Sequence, residues 1–387
     1  MSRSIAIAGS IAQKPGRGGH TWVFLQYLLG FRKLGWDVVF LDRLEPDMRI
    51  GPGAADDSLE DSLNVRYFRD VMTRFGFGRC YALLCHGGTR TIGLSRAEIL
   101  ERVSASAALI NVMGFLNDAE IFAAARKRIF LDIDPGFGQM WQALGLHDAF
   151  SAHDAFVTIA ERIGESDCSI PTCGLPWITT RQPIVLDEWA AAPPVDGNAP
   201  ITSVATWRGA YGPIEYGGAT YGLRAHEFRK FASLPELAHR RFEVALEIGQ
   251  ADGKDVELLR GHGWSLVEPE VAAGDPWRYR DYIRSSAAEL MIAKGMYVRS
   301  RSGWFSDRSI CYLASGRPVL AQDTGFSDTL PTGEGLIAFS TVEEAAAGIE
   351  TIERDPAGHA RAARRLAESS FDSSMVLNTL VRRLELC

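Results

Sequence analysis

Short apolar runs of strand length alternate with segments of helical period along this chain, stop at a proline-rich stretch, and then alternate again. In the first half the strand candidates are 4–9, 37–41, 81–85, 108–112, 129–133 and 155–159, with helical stretches at 22–34, 65–75, 96–103 and 118–126 between them. Strands that are apolar on both faces and separated by helices belong to a parallel sheet covered on each side. Residues 182–200 break the pattern with Pro183, Pro193, Pro194, Pro200, an alanine run and Asp196-Gly197-Asn198, a composition suited to a linker. The alternation restarts with strand candidates at 201–206, 242–248, 265–267, 290–293, 318–321 and 336–339 and helices at 223–233, 276–285, 307–314 and 342–353; residues 372–386 read as a terminal helix. The expected fold is α/β, with two facing Rossmann-like, doubly wound domains. Ligands bind such sheets outside the carboxyl ends of the strands, which here means the cleft between the halves. The boundaries read as 1–185, a linker at 186–200, 201–368, and a C-terminal helical segment at 369–387 placed to pack back on the first domain.

With 387 residues, 46% of them hydrophobic, the chain is long enough for two cores of ordinary domain size. Its 23% charged content excludes a disordered or fibrous chain. A formal charge of −7 gives no electrostatic reason to bind nucleic acid, and Arg240-Arg241 and Arg364-Arg365 sit among acidic neighbours as solvated helix faces do. The cysteines at 80, 85, 168, 173, 311 and 387 lack the tight Cys-x2-Cys spacing of a zinc site and read as reduced thiols, with no metal expected. The N-terminus opens on a strand pattern, without an apolar stretch long enough for a leader or a membrane span, so a cytoplasmic enzyme is the expectation.

The run Ser302-Gly303-Trp304-Phe305-Ser306-Asp307-Arg308 precedes an apolar helix pattern that ends at Gly316, followed by Arg317-Pro318-Val319-Leu320. Ser306 and Asp307 are good helix N-cap residues. Free N–H groups of a first helical turn, the positive end of its dipole and the guanidinium of Arg308 or Arg301 together suit a diphosphate. The same Ser-Asp pair would equally serve an ordinary capped helix.

A glycine-bearing turn, a helix ending in a small residue before Gly-x-Pro, a buried strand and then Gln322-Asp323 resemble the donor-binding half of GT-B glycosyltransferases. The resemblance implies that Ser302, Gly303 and Trp304 form part of the donor site, that Ser306, Asp307 and Arg308 meet the diphosphate of a UDP- or GDP-sugar, and that Gln322 and Asp323 meet its sugar. It also implies base contacts near Trp264 and Val267, and donor contacts at Trp207 and Arg208 after the first strand of this half. Read without the resemblance, Trp264 is a core residue and Arg208 one partner of a salt bridge. The chain departs from many relatives at Cys311, where a ribose-gripping glutamate would stand. The loop 209–222, with Tyr211, Tyr216 and Tyr221 among its glycines, reads as a mobile aromatic segment that covers the site or contacts the acceptor.

After the first strand comes Lys14-Pro15-Gly16-Arg17-Gly18-Gly19-His20, and a helix is expected from about Thr21. This turn, with Asp42 ending the second strand, partly mimics a dinucleotide fingerprint whose third glycine is missing; an NAD(P)-type oxidoreductase using Gly16–His20 is therefore the alternative function. In the GT-B reading Gly18 and Gly19 let backbone approach the sugar or phosphate, and His20 occupies the position of the general base that deprotonates an acceptor. A histidine that merely bonds a carbonyl is the other reading. Asp132 and Asp134 lie on one side of an extended chain, where they either mimic a metal-binding Asp-x-Asp, orient His20, hold a polar acceptor or satisfy loop N–H groups. The combined expectation is sugar transfer from a nucleotide donor to a small metabolite or natural product. The sugar nucleotide serves as co-substrate and no cofactor is needed; no nucleic acid or membrane is engaged, and the enzyme is a monomer or homodimer.

Overall fold

The computed structural model describes residues 3–50 and 59–386; Cys387 lies outside them. The first half supplies β1 (Ser4–Gly9), β2 (Asp37–Leu44), β3 (Tyr81–Cys85), β4 (Arg90–Gly93), β5 (Leu109–Val112), β6 (Arg128–Asp132), β7 (Ala155–Thr158) and β8 (Trp177–Thr179). They form one sheet in the order β4-β3-β2-β1-β5-β6-β7-β8, parallel except for the antiparallel edge strand β4. The second half supplies β9 (Ile201–Thr206), β10 (Ile214–Tyr216), β11 (Ala219–Tyr221), β12 (Phe242–Glu247), β13 (Trp264–Val267), β14 (Ala288–Met291), β15 (Val319–Gln322) and β16 (Leu336–Phe339). Its main sheet is wholly parallel in the order β13-β12-β9-β14-β15-β16. In each half the order reverses beside the first strand, between β1 and β5 and between β9 and β14, which opens a crevice at those strands' carboxyl ends.

The strands are buried on both faces because helices cover both. All five residues of β3 and all four of β14 are buried, as both-face coverage of a parallel strand demands. Local chemistry starts the helices where the polar residues allow. Ser95 accepts from Glu98 N in a reciprocal capping box, and Thr341 does the same with Glu344.

Three features differ from the sequence expectations. The segment 209–222 is not irregular: it contains the β10–β11 hairpin, turned at Gly217 and Gly218 (φ 58° and 76°), where two successive positive φ values require glycine. The helix expected from Thr21 spans Gly18–Lys33, so Gly18, Gly19 and His20 form its first turn. The two halves also do not keep separate cores. One connected apolar cluster joins Trp22 and Phe24 of the first half to Tyr279, Tyr297 and Phe305 of the second, while smaller clusters lie behind each sheet.

The connecting segment is part of that packing. Trp189 is fully buried and meets Trp22 edge-on at 4.9 Å, and Ala192 N donates to Ser315 O at 2.9 Å. The terminal helix Ser373–Arg383 lies on the first half: a Cβ on Gly30 would stand 2.6 Å from Leu377 Cδ1, and Arg383 Nη1 donates to Thr179 O at 2.5 Å. Among the described residues no helix is long and apolar enough to cross a membrane.

Candidate active site

A cleft opens between the halves at the carboxyl ends of β1, β6, β9, β12 and β14. Among its lining residues are Lys14, Arg17, Gly18, Gly19, His20 and Asp134 from the first half, facing Trp207, Arg208, Arg224, Glu247, Asp252, Lys294, Asp307 and Arg308 from the second.

The loop after β1 is held from behind. Asp42, 1% exposed, accepts from Ala12 N and Arg43 N at 2.6 Å each and from Gln13 Nε2 at 3.3 Å. Burial pushes its carboxyl up to about 7 against the pull of those N–H groups. Asp42 is thus consumed in shaping the loop and has no oxygen left to grip a ribose, so the dinucleotide reading loses the residue it depended on.

The glycines of this loop serve a purpose other than the expected one. A Cβ on Gly18 would lie 2.2 Å from the backbone oxygen of Asp275, and one on Gly19 would lie 2.8 Å from the Tyr279 ring. They admit the opposite half of the protein. His20 lies between Ser10 and Phe24: Nε2 is 3.0 Å from Ser10 O and 2.9 Å from Ser10 Oγ, and the ring meets Phe24 edge-on at 5.1 Å. A carbonyl oxygen can only accept, so the neutral ring donates from Nε2 and keeps its lone pair on Nδ1. Burial, helped by the charge of Lys14, lowers its pKa to about 3.

The two aspartates after β6 part company. Asp132 is 2% exposed and accepts from Gln139 Nε2 at 2.6 Å, Thr158 Oγ1 at 2.9 Å and Asp134 N at 3.2 Å, with its carboxyl raised to about 6 by burial. Asp134 faces the cleft, where Lys294 Nζ reaches it at 2.7 Å and the Tyr297 hydroxyl also donates to it. The pair therefore does not present two carboxylates to one ion. Among the described residues no group of three or more His, Cys, Asp and Glu is arranged to hold a metal.

On the opposite wall Arg308 is 8% exposed, with Nε 2.5 Å from Glu289 Oε1 and Nη1 2.7 Å from Val204 O. Burial pushes the Glu289 carboxyl up while the adjacent guanidinium pulls it down. Arg208 binds Asp252 through Nε at 2.9 Å to both oxygens. Arg224 donates to Ile292 O at 3.0 Å and Thr206 O at 3.1 Å, leaving Nη2 without a protein partner among the described residues; burial lowers its pKa to about 10, so it remains cationic at neutral pH. Asp307 begins the helix Asp307–Ala314, whose N-terminus has no side-chain cap because Ser306 makes none. Across the opening, Arg17 pairs with Glu247. Six basic and four acidic side chains line the cleft of a chain whose net charge is −7, so positive charge is concentrated here.

Several residues that the sequence singled out lie away from the cleft lining. Trp264 donates Nε1–H to Ala232 O at 2.7 Å within the second-half core, on the strand that ends at Val267. Gln322 bridges Glu227 and Ala293 N, and Asp323 accepts from Gly325 N and Ser327 Oγ in a tight loop. Ser302 and Gly303 bond to Arg162 N and Thr324 O, while Trp304 stacks on Tyr297 with ring centres 4.0 Å apart. The Ser-Gly-Trp turn thus closes the two halves against each other. Cys311 is buried, and burial pushes its thiol well above the usual range.

No family model matches the chain, and no curated protein matches it by sequence. Solved structures do match over nearly the whole length. HepE of Anabaena in complex with UDP and glucose superposes with a TM-score of 0.56 at 11% identity, covering 98% of this chain and 99% of that one. An alpha-glucosyltransferase in complex with UDP gives 0.60 at 11% identity, with 99% and 100% covered. An alpha-glucosyltransferase in complex with UDP-glucose and DNA containing an abasic site gives 0.59 at 12% identity, with 99% and 98% covered. This chain has the GT-B fold. Sequence reading placed the loop carrying Lys14 and Arg17 at the cleft without giving those two side chains a role, and it missed Arg224 and Lys294, although each follows a strand of the second half at its carboxyl end.

Proposed function

We propose that the chain is a glycosyltransferase that moves a sugar from a nucleoside-diphosphate donor, bound by the second half, to a hydroxyl of a small acceptor bound by the first. The observation that carries this reading is the concentration of cations where both sheets open: Arg208, Arg224 and Arg308 on one wall and Lys14 and Arg17 on the other. Arg224 is held at two points with a third nitrogen unpartnered among the described residues, the arrangement of a guanidinium prepared for phosphate oxygens. A diphosphate between such groups would have its leaving-group charge stabilised as the glycosidic bond breaks. UDP and glucose in the structural neighbours favour a uridine nucleotide and a hexosyl donor. A neighbour is solved with DNA, but a net charge of −7 here favours a small acceptor.

His20 is the candidate base, accepting the acceptor's proton at Nδ1. A pKa of about 3 makes the ligand-free imidazole a weak base. A diphosphate bound nearby adds negative charge that favours the imidazolium, so donor binding itself strengthens the base. Release of nucleoside diphosphate from UDP- and GDP-sugars tests the reading. Slow release without acceptor, stimulation by added acceptors, and a loss of roughly 100-fold in kcat/KM for Arg224→Ala are expected. No release from any sugar nucleotide, with or without acceptors, would contradict it.

A further inference from the structure

Exposed large apolar side chains are mostly scattered over the described surface, but Leu144 and Leu146 (45% and 70% exposed) directly follow the helix Phe137–Ala143 against which Tyr211 (44% exposed) packs. Trp141 and Leu144 stand three residues apart at the end of the helix Phe137–Ala143, and Leu146 N donates back to Trp141 O at 2.9 Å. Tyr211, from the other half, meets Trp141 edge-on at 4.8 Å and Phe137 at 5.4 Å. Phe137, Trp141 and Tyr211 therefore form an aromatic shelf built by both halves, with Leu144 and Leu146 following at the helix end. It is continuous with the cleft: Ala210 lines the cleft beside Tyr211, and Lys294, bonded to Asp134, lies 5.7 Å from the centre of the Phe137 ring.

We propose that this shelf receives an apolar, ring-bearing portion of the acceptor, aryl or alicyclic, while the acceptor's hydroxyl enters the cleft beside Asp134 and Lys294. The inference rests on the glycosyltransferase reading and gives its acceptor a chemical class. Aromatic faces and edges favour planar rings, and the leucines add non-directional burial. Residues 135–154, which supply most of the shelf, contain no lysine or arginine, so an anionic membrane surface is not the occupant it suits. Gly209, Gly212, Gly217 and Gly218 have open space where a Cβ would stand, which leaves the segment carrying Tyr211 room to adjust to a ring.

Equilibrium binding of phenyl β-glucoside and methyl β-glucoside to the full chain, alone and with UDP or GDP, tests this. The phenyl compound is expected to bind roughly tenfold more tightly than the methyl one, with most of the difference lost in Leu144→Ser/Leu146→Ser and in Tyr211→Ala and restored in Tyr211→Phe. Equal binding of the two glucosides, or a preference that survives the shelf variants, overturns the proposal whether or not a nucleotide binds. A shelf-dependent preference without any nucleotide binding supports the shelf and counts against the transferase reading.

Discussion

At Asp42 and His20 the same physical cause, burial, moves two groups in opposite directions, and each has a consequence for pH. The folded protein holds a proton on Asp42 up to about pH 7, which the unfolded chain has released above pH 4. Its contribution to stability is therefore full at low pH and lost as pH rises through 7. Asp42→Asn is expected to remove that slope from thermal melts taken between pH 4 and 7; an unchanged slope would mean that the carboxyl is ionised throughout. His20, lowered to about 3, contributes stability that is present above pH 6.5 and lost as pH falls toward 3. His20→Asn should flatten the acid side of the same profile and abolish transfer while nucleotide binding persists; retained turnover would remove His20 as the base. That His20 and Asp134 face the cleft was legible from the sequence, one opening the helix after β1 and the other following the end of β6. The roles of Gly18, Gly19 and Asp132 were not, because a contact with the opposite half or a neighbouring Gln139 is set by packing that no local pattern encodes.

Secondary elements were the most readable level. The expected bounds of β1, β3, β9 and β16 coincide with the strands to the residue; in β1 and β3 the cause is plain, since a parallel strand buried on both faces leaves an apolar signature. Short edge strands β4 and β8 and the β10–β11 hairpin escaped because they bury little and carry no such run. The helix Asp307–Ala314 was found with its correct bounds, yet the guanidinium expected to face a phosphate is bound to Glu289, two elements away in the sequence. That largely buried pair gives an element-scale prediction. Glu289→Leu strands the Arg308 charge in the interior and should cost about 3–5 kcal/mol in urea denaturation. A loss below about 1 kcal/mol would mean that Arg308 finds water or another partner in the cleft.

The two halves behave as one packed body in this structure, joined by Trp22, whose Nε1–H donates to Pro276 O at 2.8 Å, by the buried Trp189, and by the terminal helix returning to the first half. Gly18→Ala must push Asp275 away, so it should loosen the cleft, lowering the melting temperature and enlarging the scattering radius; an unaltered radius with full stability would show that the halves already stand apart in solution. Doubling of the fold was plain in the repeated alternation, whereas the shared core was not, because it arises from helix faces meeting across the cleft. The central claim is that the cations collected at the two switch points hold a nucleoside diphosphate. Calorimetric titration with UDP and GDP, with and without Arg224→Ala, tests it most directly. The account predicts one site per chain for at least one of the two nucleotides, weakened at least tenfold by the substitution; no binding of either, or binding indifferent to Arg224, would contradict it.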